Sequence, residues 1–154
     1  MMIEPVFHQL KLAIDSLIML CDILTEEDLE YFSEEQSRTI REQLVHLSLI
    51  CLADLYIAQE ASQQEMDAFY ASDYIQTLTE IKESLRSTYS ALYCEYASYT
   101  PEQLMEQKTS YWGVTYSRFG WLIEIFGHFY HHRGQVQAQL SAKGIAMQGI
   151  TWFE

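Results

Sequence analysis

Apolar side chains recur at three- and four-residue steps through most of this chain, the spacing that lines one face of an α-helix. Val6, Leu10, Ala13, Ile14, Leu17, Cys21 and Leu24 carry the pattern first and predict a helix running to about Leu24, where Thr25 ends it and starts something short. Thr39 and Glu42 then form the reciprocal capping pattern of a helix start, ahead of Ile40, Leu44, Leu47, Ile50, Cys51 and Leu55. Ser72 or Asp73 is placed to cap a third helix through Ile75, Leu78, Ile81, Leu85 and Leu92 to about Tyr99. Thr100-Pro101-Glu102-Gln103 breaks and restarts the chain, with proline in a first turn. From Lys108 to Tyr116 the residues are rich in Thr, Tyr and Trp but alternate poorly, which reads as an irregular or extended connection crossing one end of the fold. A fourth helix is predicted from about Ser117 to Ala142 on Phe119, Leu122, Ile123, Phe126, Phe129 or Tyr130, Val136 and Leu140, with Lys143-Gly144 as its stop.

Four long helices with no convincing strand and no Gly/Pro-rich linker predict an all-α four-helix bundle, one domain over residues 1–154. The connections are longer than the minimum for antiparallel neighbours, so periodicity leaves the topology open. A chain of 154 residues buries a sufficient core without a structural metal or disulfides, which makes any metal functional. Cys21, Cys51 and Cys94 are odd in number and widely spaced, each inside a helical pattern, and read as reduced core residues. With no basic and apolar leader and no apolar run of the roughly 20 residues that span a bilayer, a cytoplasmic protein is expected. The net charge of −13, from 22 acidic and 9 basic residues with no basic patch, makes nucleic acid and anionic membranes poor partners. Acidic clusters at Thr25-Glu26-Glu27-Asp28 and Ser33-Glu34-Glu35 read as solvated turns and helix starts.

Against that acidic background, the histidines carry the candidate chemistry. His128 and His132 stand four residues apart on the fourth helix, a spacing that puts two imidazoles about 5–6 Å apart on one face, near enough to converge on one metal ion. Surface imidazoles are the commoner outcome for such a pair taken alone. His46, between Leu44 and Leu47 on the second helix, is the best third ligand, because His8 lies near the fraying N-terminus. Its bland alternative is a core histidine bonded to a tyrosine or carboxylate. Glu124 shares the face of His128 and His132 and is read as an acceptor for an imidazole N–H, with direct ligation or plain solvation left open. His131 diverges from that face and is left for a hydrogen bond at a helix or subunit contact, and Arg133 for tethering the following turn or an acidic neighbour. Tyr111, Trp112 and Tyr116 are positioned to roof a pocket at one end. Three neutral imidazoles would leave a divalent ion its full charge and an open position, able to activate a thiol or a water molecule.

The segment Gly127-His128-Phe129-Tyr130-His131-His132-Arg133-Gly134-Gln135 resembles the Asn-His-x-x-His-His-Arg-Gly-Gln signature of the DinB-like or YfiT-like metal-binding four-helix bundles, with Gly127 where Asn is usual. Thr39-Ile40-Arg41-Glu42-Gln43-Leu44-Val45-His46-Leu47 is similar to that family's capped start of helix two, and the layout agrees over nearly the whole chain. The resemblance implies a divalent metal, zinc or nickel, on His46, His128 and His132, an unusual helix connectivity, and a homodimer. Characterised members of that family include thiol-dependent transferases and an isomerase that use low-molecular-weight thiols such as bacillithiol or mycothiol, so the first expectation is a thiol S-transferase with a small-molecule thiol and electrophile as partners. Two other readings stand beside it: a non-catalytic metal- or ligand-binding dimer of the stress response, and a metal-dependent hydrolase.

Overall fold

The structure is a computed structural model and describes residues 2–32 and 37–154. The acidic stretch Ser33-Glu34-Glu35 lies outside the described residues. Four long helices, α1 (Glu4–Ile23), α2 (Ile40–Ala58), α4 (Leu78–Ser98) and α6 (Arg118–Lys143), make the bundle. Shorter pieces join them: a single 3-10 turn at Asp28–Glu30, α3 (Gln63–Ala71), α5 (Pro101–Leu104), and a hairpin of β1 (Gln107–Thr109) and β2 (Thr115–Ser117). Among the described residues, no helix is long and apolar enough to cross a membrane.

Local chemistry sets most boundaries. Thr39 caps α2, its side chain accepting from the Glu42 amide while Glu42 accepts from the Thr39 amide, as the sequence predicts. Ser117 caps α6, and Gly144 ends it at φ 85°, a left-handed conformation that glycine adopts without steric cost. The third long helix starts later than expected. Thr77, not Ser72 or Asp73, is its N-cap, paired with Glu80 in another capping box. Ser72 instead closes α3, an element that periodicity misses because it buries only Met66, although Ser62 and Glu65 spell a capping box at its start. The Lys108–Tyr116 stretch pairs at both ends into a short antiparallel hairpin, Gln107 opposite Ser117 and Thr109 opposite Thr115. Three-residue strands with mostly exposed side chains are too short to alternate visibly in sequence.

The helices pack in an order that differs from their order along the chain. α2 lies against α4 and α6, and α1 lies against the same two, so α1 and α2 face each other across the bundle. Side-chain pairs fix the directions. The Ser48 carbonyl accepts from Thr88 and Gln59 donates to Glu95, so α2 and α4 run parallel. Tyr130 reaches the carbonyl of Gln9 and Arg133 reaches Ser16, so α1 and α6 run parallel too. Phe7 against Tyr93 and Lys82 against Asp22 make α1 and α4 antiparallel. Asp54 against His128 and His46 against His132 do the same for α2 and α6. The result is an up-down-down-up bundle in which the α1–α2 and α4–α6 connections cross an end diagonally and the α2–α4 connection runs back along the length between two parallel helices, the reason all three exceed the minimum for antiparallel neighbours.

One continuous core runs through all four long helices, from Phe7, Leu10 and Leu17 through Leu44, Leu47 and Cys51 to Leu92, Ile125, Phe129 and Leu140. A smaller apolar layer at the hairpin end gathers Ala53, Ile57, Ala58, Met66 and Trp121. Cys21 and Cys51 are buried in the main core as expected, with burial pushing the Cys21 thiol up to about 12. Cys94 is exposed, a correction to the core assignment: it lies two residues past Leu92, hence about 200° round the helix from that buried position.

Arg133 is 3 % exposed and tethers the C-terminal tail rather than the turn that follows it. Its guanidinium donates to Ser16 Oγ at 3.2 Å and to the Trp152 carbonyl at 3.0 Å, and it stacks on the rings of Tyr130 and Phe153. Replacing Arg133 with Met keeps volume and removes both hydrogen bonds. The expected cost is about 1–2 kcal/mol in urea unfolding, with faster amide exchange confined to residues 145–154. An unchanged midpoint and unchanged tail exchange would contradict this role.

Candidate metal centre

Because α2 is covered by α4 on one side and α6 on the other, nearly every face of it is buried, and its polar side chains must find partners inside the bundle. Two of them meet α6. His46 comes against His128 and His132, with ring centroids 5.4 and 4.4 Å away, while His128 and His132 are 4.8 Å apart on their own helix. One ring nitrogen from each of the three lies within 4.8 Å of the others. Nitrogens bound about 2.1 Å from a tetrahedral ion sit roughly 3.4 Å apart, so small rotations of side chains already in place would close the set.

The hydrogen bonds fix which nitrogens are free. His128 Nδ1 lies 2.7 Å from Asp54 Oδ2, and since a carboxylate only accepts, Nδ1 carries the proton and Nε2 keeps its lone pair. His132 Nδ1 lies 2.7 Å from Gln135 Oε1 and donates to it, which again leaves Nε2 as the ligating atom. The Gln135 amide donates in turn to His131 Nε2 at 3.2 Å, so exposed His131 holds Gln135 the right way round. His131 stays outside the cluster, and His8 is far off, bonded to Glu154.

Charge in the site follows from these contacts. Burial, then the proximity of His132, Arg38 and His128, pushes His46 down to about 3, so at neutral pH the ring is uncharged and one of its nitrogens keeps a lone pair. His132 is lowered as well, chiefly by burial, against the opposing hydrogen bond to Gln135. His128 moves the other way, raised by its hydrogen bond to Asp54, and is the most basic of the three by environment. Glu124 is raised by partial burial and by repulsion from Asp54. It forms a neighbouring group with Asp54 and His128, each offering an atom within 4.8 Å of the others. The hydrogen bond to an imidazole, expected from Glu124, is made by Asp54.

Asp54, 6 % exposed, is the residue that sequence reasoning passed over. Its signal was an acid inside Leu52-Ala53-Asp54-Leu55, eight residues and so about 12 Å along α2 from His46. Without the register between α2 and α6, nothing pointed it at His128. Gln135 was visible in the motif but had no assigned task. Tyr111, Trp112 and Tyr116 are about half exposed and pack at the hairpin end, Trp112 and Tyr116 edge-on to Trp121. The cavity of about 420 Å³ beside the histidines is lined instead by Ser37, Arg38, Gln43 and Gln135 with His46, His128 and His132. Three converging imidazoles, two of them with Nε2 oriented by a hydrogen bond at Nδ1, beside a water-accessible mouth suit a divalent transition metal with an open position, not a closed structural site.

Comparison with known proteins agrees with this architecture. The model of the DinB family matches residues 6–153. A crystal structure from Exiguobacterium sibiricum, described as a member of the DinB family, superposes with a TM-score of 0.80 at 28 % identity, covering 92 % of this chain and 90 % of that one. DinB-like proteins from Bacillus cereus (TM-score 0.72, 17 % identity, 97 % of each chain) and Bacillus subtilis (0.69, 14 %, 93 % of this chain and 94 % of that one) share the fold. No curated protein matches the chain.

Asp54→Asn keeps the shape of the side chain and removes its charge, so His128 loses basicity and the fixed proton on Nδ1. Affinity for zinc, measured by competition with a chromophoric chelator, is expected to fall about 10–100-fold, while the unfolding midpoint of metal-free protein changes far less. Affinity equal to the unsubstituted protein would contradict the role given to Asp54.

Proposed function

The chain belongs to the DinB family, and on that premise we propose that it is a metal-dependent thiol S-transferase acting on small electrophiles, with zinc or nickel on His46, His128 and His132. The observation that carries the proposal is the convergence of three imidazoles from α2 and α6, two of them with Nδ1 already engaged, at the wall of an open cavity. A bound divalent ion would supply Lewis acidity, lowering the pKa of a thiol from its free value of about 8.5.

The protein's own residues do the rest. His46 comes from a buried helix and is kept unprotonated by its surroundings, so it does not compete for a proton near neutral pH. Asp54 and Gln135 hold His128 and His132 in the ligating tautomer and orientation, so little ordering is left to be done when the site fills. In the transfer, sulfur bonds to the electrophilic carbon as that carbon's bond to its leaving group breaks. The bonding pair departs with the leaving group and the thiol proton passes to water at the mouth.

Cobalt(II) absorption tests this reading directly. Cobalt-loaded protein is expected to give a four- or five-coordinate spectrum that gains a sulfur-to-metal charge-transfer band when a small thiol is added. His132→Ala is expected to lose both. A cobalt spectrum indifferent to thiol would contradict the transferase reading and favour water activation or ligand sensing, and absence of specific cobalt binding would contradict the metal site itself.

A further inference from the structure

We propose that Arg38 is the anion-recognition group of this site, and that the small thiol it takes carries a carboxylate. The inference rests on the three-histidine reading above and names its substrate class. Basic side chains are scarce in this chain, 9 against 22 acids. Six of them are spent in ion pairs: Lys11 with Asp15, Arg41 with Glu30, Lys82 with Asp22, Lys108 with Glu60, Arg118 with Glu106, and Lys143 with Asp28. Arg133 is buried under the C-terminal tail, and Arg86 lies away from the histidines beside α1. Arg38 lines the histidine cavity and, among the described residues, has no carboxylate partner there.

The lining is selective in charge. Among the described residues, the lining around Arg38, which is Ser37, Gln43, Gln135 and the three histidines, includes no acid, in a protein that is otherwise strongly acidic. The adjoining cavity, which shares Arg38 and His46, carries Glu42 and Asp73 beside Val45, Leu49 and Tyr70 and would repel a carboxylate. An anionic group is thereby directed to the histidine side of Arg38. The backbone at this point is held although the side chain is exposed: the Arg38 carbonyl accepts from buried Gln139 at 3.0 Å, and the next residue, Thr39, is locked in its capping box. Arg38 is close enough to the cluster for its charge to act on all three histidines. A planar guanidinium suits a carboxylate by paired parallel hydrogen bonds, which an ammonium cannot reproduce.

The test compares two thiols of similar size, 3-mercaptopropionate and 2-mercaptoethanol, by titrating the charge-transfer band of cobalt-loaded protein. The unsubstituted protein is expected to bind the acid about tenfold more tightly, consistent with a charge-assisted hydrogen bond. In Arg38→Gln the preference should shrink to within about twofold, and Arg38→Lys should fall between. No preference in the unsubstituted protein, or the same preference in Arg38→Gln, would overturn the proposal while leaving the metal site standing. Cobalt binding without thiol reports on that site separately, and its failure would overturn both readings.

Discussion

Antiparallel packing of α2 on α6 is the contact on which the rest of the molecule turns. α2 is enclosed by two helices, so a histidine and an aspartate placed among its leucines cannot reach bulk water freely and must be satisfied by what α6 brings to them. The register of that pairing sets Asp54 on Nδ1 of His128 and His46 beside His132. Slide α6 by one turn, about 5.4 Å, and the acid loses its imidazole while the three rings lose their common point. Fold and site are therefore specified by the same contact.

The order of helices in space serves this contact. Chain neighbours α1 and α2 are set across the bundle, which leaves α2 free to take α4 and α6 as partners. The connection from α4 to α6 carries α5 and the hairpin over one end, and Trp121 under that hairpin anchors the start of α6 by donating its indole N–H to the Lys108 carbonyl. At the other end Gly144 stops α6, and the tail folds back to be held by Arg133. Both ends of the helix that bears two of the three histidines are thus fixed, which limits how far its face can rotate.

Much of this was legible in the sequence, and the limits have physical causes. Capping boxes are local, so Thr39 with Glu42 placed the start of α2, and Thr77 with Glu80 and Ser62 with Glu65 were there to be read in the same way. The i, i+4 pair on α6 is equally local, and His46 stood out as an imidazole in an apolar run. Gln135 is local as well, three residues past His132 on the same helix, whereas Asp54 and Arg38 were of a different kind. Their roles depend on the register of α2 against α6 and on which cavity a loop residue faces, both set by contacts between residues far apart in sequence. Glu124 drew attention because it shares a helix face with the histidines, yet the acid that bonds His128 comes from the opposing helix. The parallel pairing of α2 with α4 and of α1 with α6 was hidden for a related reason: an amphipathic stripe says which face is buried but not what direction its neighbour runs.

The central claim is that His46, His128 and His132 together hold one divalent ion through the nitrogens their hydrogen bonds leave free. Anomalous diffraction at the zinc edge from zinc-soaked crystals tests it most directly. The account predicts a single strong peak about 2.0–2.1 Å from Nε2 of His128, from Nε2 of His132 and from one ring nitrogen of His46, with the Asp54 carboxylate still on Nδ1 of His128. A peak lying instead on Asp54 and Glu124, or none near the three histidines at saturating zinc, would contradict it.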